Sequence, residues 1–413
     1  RKHGKLKKQI NYKLNKMNKT KYDYYFYTIL SFLVVVLILK ANLSLSISYK
    51  EALNVFVNNS LLTLITNLSI YFFGQNDIAL RLPFILFYAF SVILMYKITD
   101  NYFRYEKDRF ISILIFMILP GVLSASLLVN SAIIVIFFTL LYVYVFQKFN
   151  KHSYFLLVFY LFIDNSFAIL YMAIFLYSLK NQDKKLTYVS IVLFILSMYI
   201  YGFATDGKPR GFLVDTFAVY ATVFSPVLFL YFVYAIYRAG IKKDFTLSWY
   251  ISVTAFALSI IFSLRQRIYI EDFAPYVVVS LPLMLKTFLH SYRVRLKEFR
   301  KFYNILAITI VGMLMLNVII TFVNKPLYLF LPNPTKHFVY KYHFAKEIAE
   351  ELKKRKINNI YLEDKELLLR LRFYNISEGE EYFASLKPFH NYDERITINY
   401  YGINMISIYL KKL

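Results

Sequence analysis

Apolar residues in this chain come mostly in blocks, not in alternation. Runs of about 17–25 apolar residues recur between Tyr24 and Val323, each long enough to cross a hydrocarbon core of about 30 Å. Polar residues gather in the short gaps between them. Hydropathy and charge predict about eleven spans, near 24–43, 79–97, 110–122, 130–147, 153–164, 166–180, 186–203, 216–238, 246–264, 273–291 and 303–323. Segment 60–73 is apolar but only about fourteen residues long, which suits an interfacial or re-entrant helix better than a span. Residues 44–59 read as one amphipathic helix, with Leu45, Tyr49, Ala52, Leu53 and Phe56 on one side and Glu51 and Asn58 on the other. No repeat of 20–50 residues is visible.

Beyond residue 325 the pattern changes. Tyr342–Lys356 carries Phe344, Ile348 and Leu352 at spacing four, an amphipathic helix. Residues 359–362 read as a buried strand, Asp364 as the cap of a helix over 365–373, and 395–400 and 405–410 as strands around Gly402. The chain therefore reads as a polytopic α-helical membrane protein with a small C-terminal α/β domain. It divides into a basic N-terminus (1–23), a transmembrane domain (24–325) with a long first loop (44–78), and the α/β domain (326–413).

Composition agrees: 58% of the 413 residues are hydrophobic and 20% aromatic, more apolar surface than a soluble chain of this size can solvate. The net charge of +24 suggests nucleic acid, but its distribution excludes that class. Lys and Arg sit in short clusters between apolar runs, which is how membrane topology is set. With the N-terminus inside, the inner loops 98–109, 148–152, 180–185, 238–244 and 292–302 are all basic. The outer segments carry only Lys50, Lys208, Arg210, Arg265 and Arg267. This orientation places the first loop and the α/β domain outside. The first 21 residues form a basic block suited to anionic head groups, and 24–43 reads as an uncleaved first span. Cysteine is absent, so thiol chemistry is excluded.

Candidate chemistry lies on the outer side. Glu51 is the sole acidic residue between Asp23 and Asp77 and is expected to face a cavity or water. Arg81 falls about one turn into the second span, where a cation must snorkel, pair or meet an anion. Arg265 and Arg267 end a span on the side that is otherwise poor in cations, and Lys208 and Arg210 lie in the turn DGKPRG. Asp164 sits in a tight turn, where capping a helix is its ordinary role. No outer D-x-D and no His/carboxylate cluster has metal-ligand spacing, so neither metal nor cofactor is expected. His337, His343 and His390 read as structural.

The order of these pieces carries a resemblance. An acidic residue in a long first outer loop, a short apolar helix and then FFGQNDIALRLPFILF resembles the GT-C membrane glycosyltransferases. Within them it is most like family 39, the bacterial aminoarabinose transferases and the protein O-mannosyltransferase-like proteins. LPGVLSASLLVN (119–130), FSP (224–226), RIYIEDFAPY (267–276) and EDKELLLRLRFYNI (363–376) resemble further segments of that family.

The resemblance implies an enzyme of the bacterial inner membrane that moves a sugar from a polyprenyl-phosphate donor to an envelope acceptor such as lipid A, a glycan or a protein. It implies Glu51 as the first-loop acid. The family's second acid aligns near Asn130, which cannot serve as a base, and Glu271 and Asp272 are the substitutes. Arg81, Lys208, Arg210, Arg265 and Arg267 are the cations available to the leaving phosphate, with Asn58, Asn130, Asp164 and Tyr276 as further contacts. The missing acid keeps a second reading open, a relative that binds or scaffolds lipid-linked glycan without catalysis. A transporter would instead show charges at mid-membrane in matching halves.

Overall fold

The computed structural model describes residues 2–100, 102–202, 211–331 and 333–413, with side chains from Lys21 onward. Lys208 and Arg210 lie outside the described residues. Among those described, six helices are long and apolar enough to cross a membrane: Lys21–Leu43, Asp77–Ile98, Ala132–Phe149, Lys184–Tyr201, Ile270–Val294 and Lys297–Phe322. Three bent helix pairs bring the number to as many as nine if each pair counts as one span, and Phe167–Asn181 and Leu247–Ser263 are shorter apolar helices. The chain is a multi-pass helical membrane protein that also carries a small sheet near its C-terminal end.

Several expected spans are broken, each for a local reason. Stretch 110–122 divides at Pro120 into Glu106–Met117 and Pro120–Leu127, bent by 50°. Leu119 is extended, as a residue before proline tends to be. Stretch 216–238 divides at Ser225–Pro226 into Leu213–Phe224 and Pro226–Ile241, bent by 102°. Ser225 has φ 79°, a value helices do not use, and Pro226 opens the next helix without an N–H to place. Stretch 153–164 keeps only the helix Tyr154–Tyr160, about 10 Å long at ~1.5 Å per residue, too short to cross. The amphipathic helix expected over 44–59 is confined to Tyr49–Phe56, because Ser48 caps it with its side chain. It meets Leu61–Phe73 at 82°.

The described chain forms two compact units. In the unit of residues 1–34 and 86–318, the short helix Pro120–Leu127 packs closely on Leu213–Phe224. Gly121 makes this possible: a Cβ there would lie 2.6 Å from Val223 Cγ1. Arg109 spans the start of its helix, pairing with Asp100 (3.0 Å) and Glu106 (3.1 Å).

The second unit comprises residues 35–85 and 319–413. Its sheet has strands β1 (Asn359–Leu362), β2 (Ser377–Ser385), β3 (Glu394–Tyr400) and β4 (Ile403–Lys412), in the order β1-β2-β4-β3. β1 and β2 run parallel, joined through the helix Lys365–Arg372, whose cap is Asp364 (Leu367 N to Oδ1, 3.0 Å). β3 and β4 form a hairpin whose turn residues Tyr401 and Gly402 both have positive φ, the geometry a tight two-residue turn needs. Ile348 and Leu352 of the helix Ala345–Lys354 pack on Ile360, Ile396, Ile408 and Leu410. His337 and His343 are buried and His390 is exposed. His343 Nδ1 pairs with the Tyr328 hydroxyl (2.9 Å), while its Nε2 is buried without a hydrogen-bond partner. His337 Nδ1 accepts from Val339 N (3.1 Å), so its Nε2 carries the proton and donates to Asn324 O (3.0 Å).

Candidate functional site

Two clusters, one in each unit, hold several of the predicted residues. In the second unit, Glu51 sits in the first turn of Tyr49–Phe56 and closes a capping box. Ser48 Oγ accepts from Glu51 N (3.3 Å), and Glu51 Oε2 accepts from Ser48 N (2.8 Å). The same carboxylate oxygen receives Arg81 Nη2 at 3.2 Å. The side chains are 2% and 0% exposed, so Glu51 faces neither water nor an open cavity, contrary to the sequence expectation. A cation one turn into an apolar helix needs a partner. Beside Glu51, Arg81 meets Asp77 four residues earlier (3.5 Å), and it also donates to Ser46 O (3.0 Å).

The C-terminal segment completes this knot. Lys346 Nζ lies 3.1 Å from Asp77 Oδ2, and the Tyr374 hydroxyl donates to Asp77 Oδ1 (2.7 Å) while accepting from Ile47 N (3.0 Å). Arg370 donates to Ile47 O (2.8 Å) and His343 O (2.6 Å). Burial, followed by the adjacent Asp77 carboxylate, pushes the Tyr374 hydroxyl up, so it remains a donor at neutral pH. Three cations and two carboxylates are thus held by one another and by backbone. Sequence reasoning did not assign Lys346, Arg370 or Tyr374 to this cluster. The Asp77–Arg81 spacing of four on one helix was its readable signal. Asn58 lies beyond the capped helix, exposed and bonded to Asn54 (2.8 Å), so it does not share a helical face with Glu51.

The other cluster lies in the first unit, where Phe167–Asn181 and Ile270–Val277 begin and Leu247–Ser263 ends. A cavity of about 430 Å³ opens there, lined at one edge by Asn165, Ser166, Gln266, Arg267 and Asp272 and walled by residues such as Met172, Phe194, Met198 and Phe262. A polar edge on an apolar trough is the usual make-up of a site for an amphiphile. Glu271 and Asp272 occupy the first turn of their helix, where free N–H groups favour negative charge. Asp164, Glu271 and Asp272 interact electrostatically. Asp164 Oδ1 also accepts from Ser166 N (2.9 Å), the capping role its turn suggested.

Tyr276 is fully buried and stands behind this wall. Its hydroxyl lies 3.4 Å from Ser166 Oγ, and its carbonyl accepts from Ser252 Oγ (2.9 Å). It therefore reaches the cavity through Ser166, not directly. Arg265 and Glu271 are exposed near this edge in sequence. Asn130 is half-buried and belongs to neither cluster; its Oδ1 accepts from Ala132 N (3.2 Å) at the start of Ala132–Phe149. Among the described residues, no three His, Asp or Glu side chains gather as a metal site.

No family model matches the chain, and no curated protein does. Its architecture is nonetheless found among solved structures. ArnT from Cupriavidus metallidurans in the apo state superposes with a TM-score of 0.55 at 9% identity, over 95% of this chain and 98% of that one. The same protein bound to undecaprenyl phosphate gives 0.53 over the same shares. The chain has the ArnT fold. The likeness runs through nearly the whole of both chains, so the apolar helices and the C-terminal sheet are matched together. At 9% identity ArnT shares the backbone with this chain and few of its side chains. The GT-C resemblance carried by FFGQNDIALRLPFILF and the segments after it is thus met at the level of the fold.

Proposed function

We propose that this protein is a membrane glycosyltransferase that moves a sugar from a polyprenyl-phosphate donor to an acceptor in the bacterial envelope. The observation that carries this reading is the shared fold with ArnT, one of whose structures is bound to undecaprenyl phosphate. The cavity beside Asp272 supports it with fitting chemistry. Its apolar walls suit the first isoprene units, and Arg267 suits the phosphate, since a guanidinium can donate two bonds at once, with Arg265 two residues away as a proposed second cation. Asp272, which lines the cavity, takes the acceptor's proton in this reading. The acceptor oxygen then bonds to the anomeric carbon, the bond from that carbon to the phosphate oxygen breaks, and the phosphate leaves with the electron pair. Asp164 and Glu271 keep the surroundings of that base negative, and Tyr276 holds Ser166 at the edge.

In this reading Glu51 and Arg81 position the first loop and do not touch the reacting atoms. The outer face is the proposed side of the reaction, from the basic loops on the other side. The test is transfer by the purified protein in nanodiscs, given synthetic polyprenyl-phosphate sugars and envelope glycan, with glycan mass spectrometry of a deletion strain to name the sugar. Transfer lost in Asp272→Asn while the protein stays folded supports the reading. Wild-type protein that binds such lipids but transfers nothing would favour the scaffold reading. That reading draws on Asn130 at the place of the second acid and on a Glu51 carboxylate already engaged by Arg81.

A further inference from the structure

The helices Glu106–Met117, Pro226–Ile241, Leu281–Val294 and Lys301–Phe322 enclose a second hollow, an apolar groove of about 260 Å³. Ile111, Leu228, Met284, Leu285, Ile310 and Val311 contribute to its lining. It exceeds the ~150 Å³ of an apolar cavity that stays dry and admits a hydrocarbon guest. Its outer wall is thin. Lys301–Phe322 buries Ile310 and Leu314, while Val311, which lines the groove, is 46% exposed. The groove therefore opens sideways, toward lipid. The Tyr231 ring lines this wholly apolar groove, while its hydroxyl is buried without a hydrogen-bond partner. A buried hydroxyl left unpaired is costly.

A run of rings leads from the groove wall to a charged loop. The Tyr231 ring packs on Phe288 (centroids 5.6 Å apart), Phe288 on Tyr303 (5.8 Å), and the Arg295 guanidinium lies 5.9 Å from the Tyr303 ring centre. Residues 293–302 alternate cations with exposed Val294, Leu296, Phe299 and Phe302, a composition suited to the membrane interface. Against Arg293, Arg295, Lys297, Arg300 and Lys301 the loop carries the single carboxylate Glu298. Arg293 is taken by Asp108 (2.6 Å), and Arg300 donates to the carbonyls of Arg295 (2.9 Å) and Arg293 (3.2 Å). Arg295 and Lys297 have no ion pair among the described residues.

We propose that this groove seats one acyl chain of an anionic glycerophospholipid, with its phosphate on Arg295 and Lys297. Charge complementarity selects an anionic head group, and the lateral opening admits a lipid from the bilayer. By the charge rule this loop faces the cytoplasm. The site is independent of the proposed transfer reaction.

Native mass spectrometry of the purified full chain tests it, with phosphatidylglycerol, phosphatidylcholine of the same acyl chains, and undecaprenyl phosphate as probes. Phosphatidylglycerol should be retained at least about tenfold better than phosphatidylcholine, since two cations near a head group act on it together. The double variant Arg295→Gln/Lys297→Gln should bring the two lipids level. Ala307→Trp, which fills the groove, should lower retention of both. If Ala307→Trp fails to fold, Leu285→Phe serves as a smaller intrusion. Equal retention of the two lipids by wild type, a preference that survives the double variant, or full retention after filling would overturn the site. Displacement of phosphatidylglycerol by equimolar undecaprenyl phosphate would also overturn it, by giving the groove to an isoprenoid chain.

Discussion

Arg81 Nη2 stands 3.2 Å from Glu51 Oε2, and neither side chain reaches solvent. The two residues are thirty positions apart. One caps the short helix after the first span and the other lies inside the second. Their contact fixes where the first loop returns to the bilayer.

Breaking this pair should cost stability before it costs chemistry. Glu51→Gln keeps an oxygen for Ser48 N but removes the negative charge that faces Arg81 Nη2. A loss on the order of 3 kcal/mol is expected, because a buried charge loses a partner. Thermal unfolding in detergent measures it, and Arg81→Met in the same chain should recover part of the loss. Unchanged stability with transfer abolished would return Glu51 to the reacting centre.

Asp272→Asn should lower the transfer rate by about 10²–10⁴-fold, the usual worth of a positioned base. Glu271→Gln, at an exposed position, should change it little. Single-turnover assays with a polyprenyl-phosphate sugar separate the two. A fully active Asp272→Asn enzyme would place the base elsewhere.

Acid should loosen the second unit through His343. Burial first, then the charges of Lys325, His337, Lys40 and Arg370, pushes its imidazole down to about 3. Unfolded, it would bind a proton near pH 6.5. The unfolded chain thus holds more protons between those values. Stability is complete above about pH 6.5 and falls as the pH drops toward 3, by up to ~1.4 kcal/mol per pH unit. Hydrogen exchange across β3 and β4 reads the slope, and His343→Asn should flatten it.

Gly121→Ala should destabilise the first unit by about 1–3 kcal/mol, the range for overpacking. The added methyl would meet Val223 Cγ1 at 2.6 Å. Val223→Ala should restore most of the loss, since it removes the atoms in the way. Melting temperatures of the two single variants and the double variant decide the matter.

What could be read in the sequence was local. The cap at Asp364, the turn at Gly402, and strands β1, β3 and β4 follow from patterns a few residues long. β2 was missed because Glu378, Glu380 and Glu381 mask its alternation, and what holds it is pairing with β1 and β4. The elbow at Ser225 was hidden in an unbroken apolar stretch, where hydropathy is blind to backbone angle.

The candidate site was half legible for the same reason. Arg81 stood out as a charge at a membrane edge, whereas Asp272 came in only with Glu271, as a substitute for the acid that the resembled family carries. Lys346, Arg370 and Tyr374 look like ordinary residues of a soluble helix, and only tertiary packing brings them to Asp77 and Ile47. Glu51 was noticed as a lone carboxylate, but its partner could not be inferred from spacing.

The bond from Tyr374 to Asp77 bridges 297 positions. During synthesis the second helix therefore leaves the ribosome long before the groups that will neutralise its first turn exist. Until then Asp77 and Arg81 have little but each other and Glu51, and the newborn loop stays unlatched. Ribosome-stalled intermediates ending before residue 346 should accordingly be protease-sensitive around residues 44–76, and the last seventy residues act as the clasp that finishes assembly at the front of the chain.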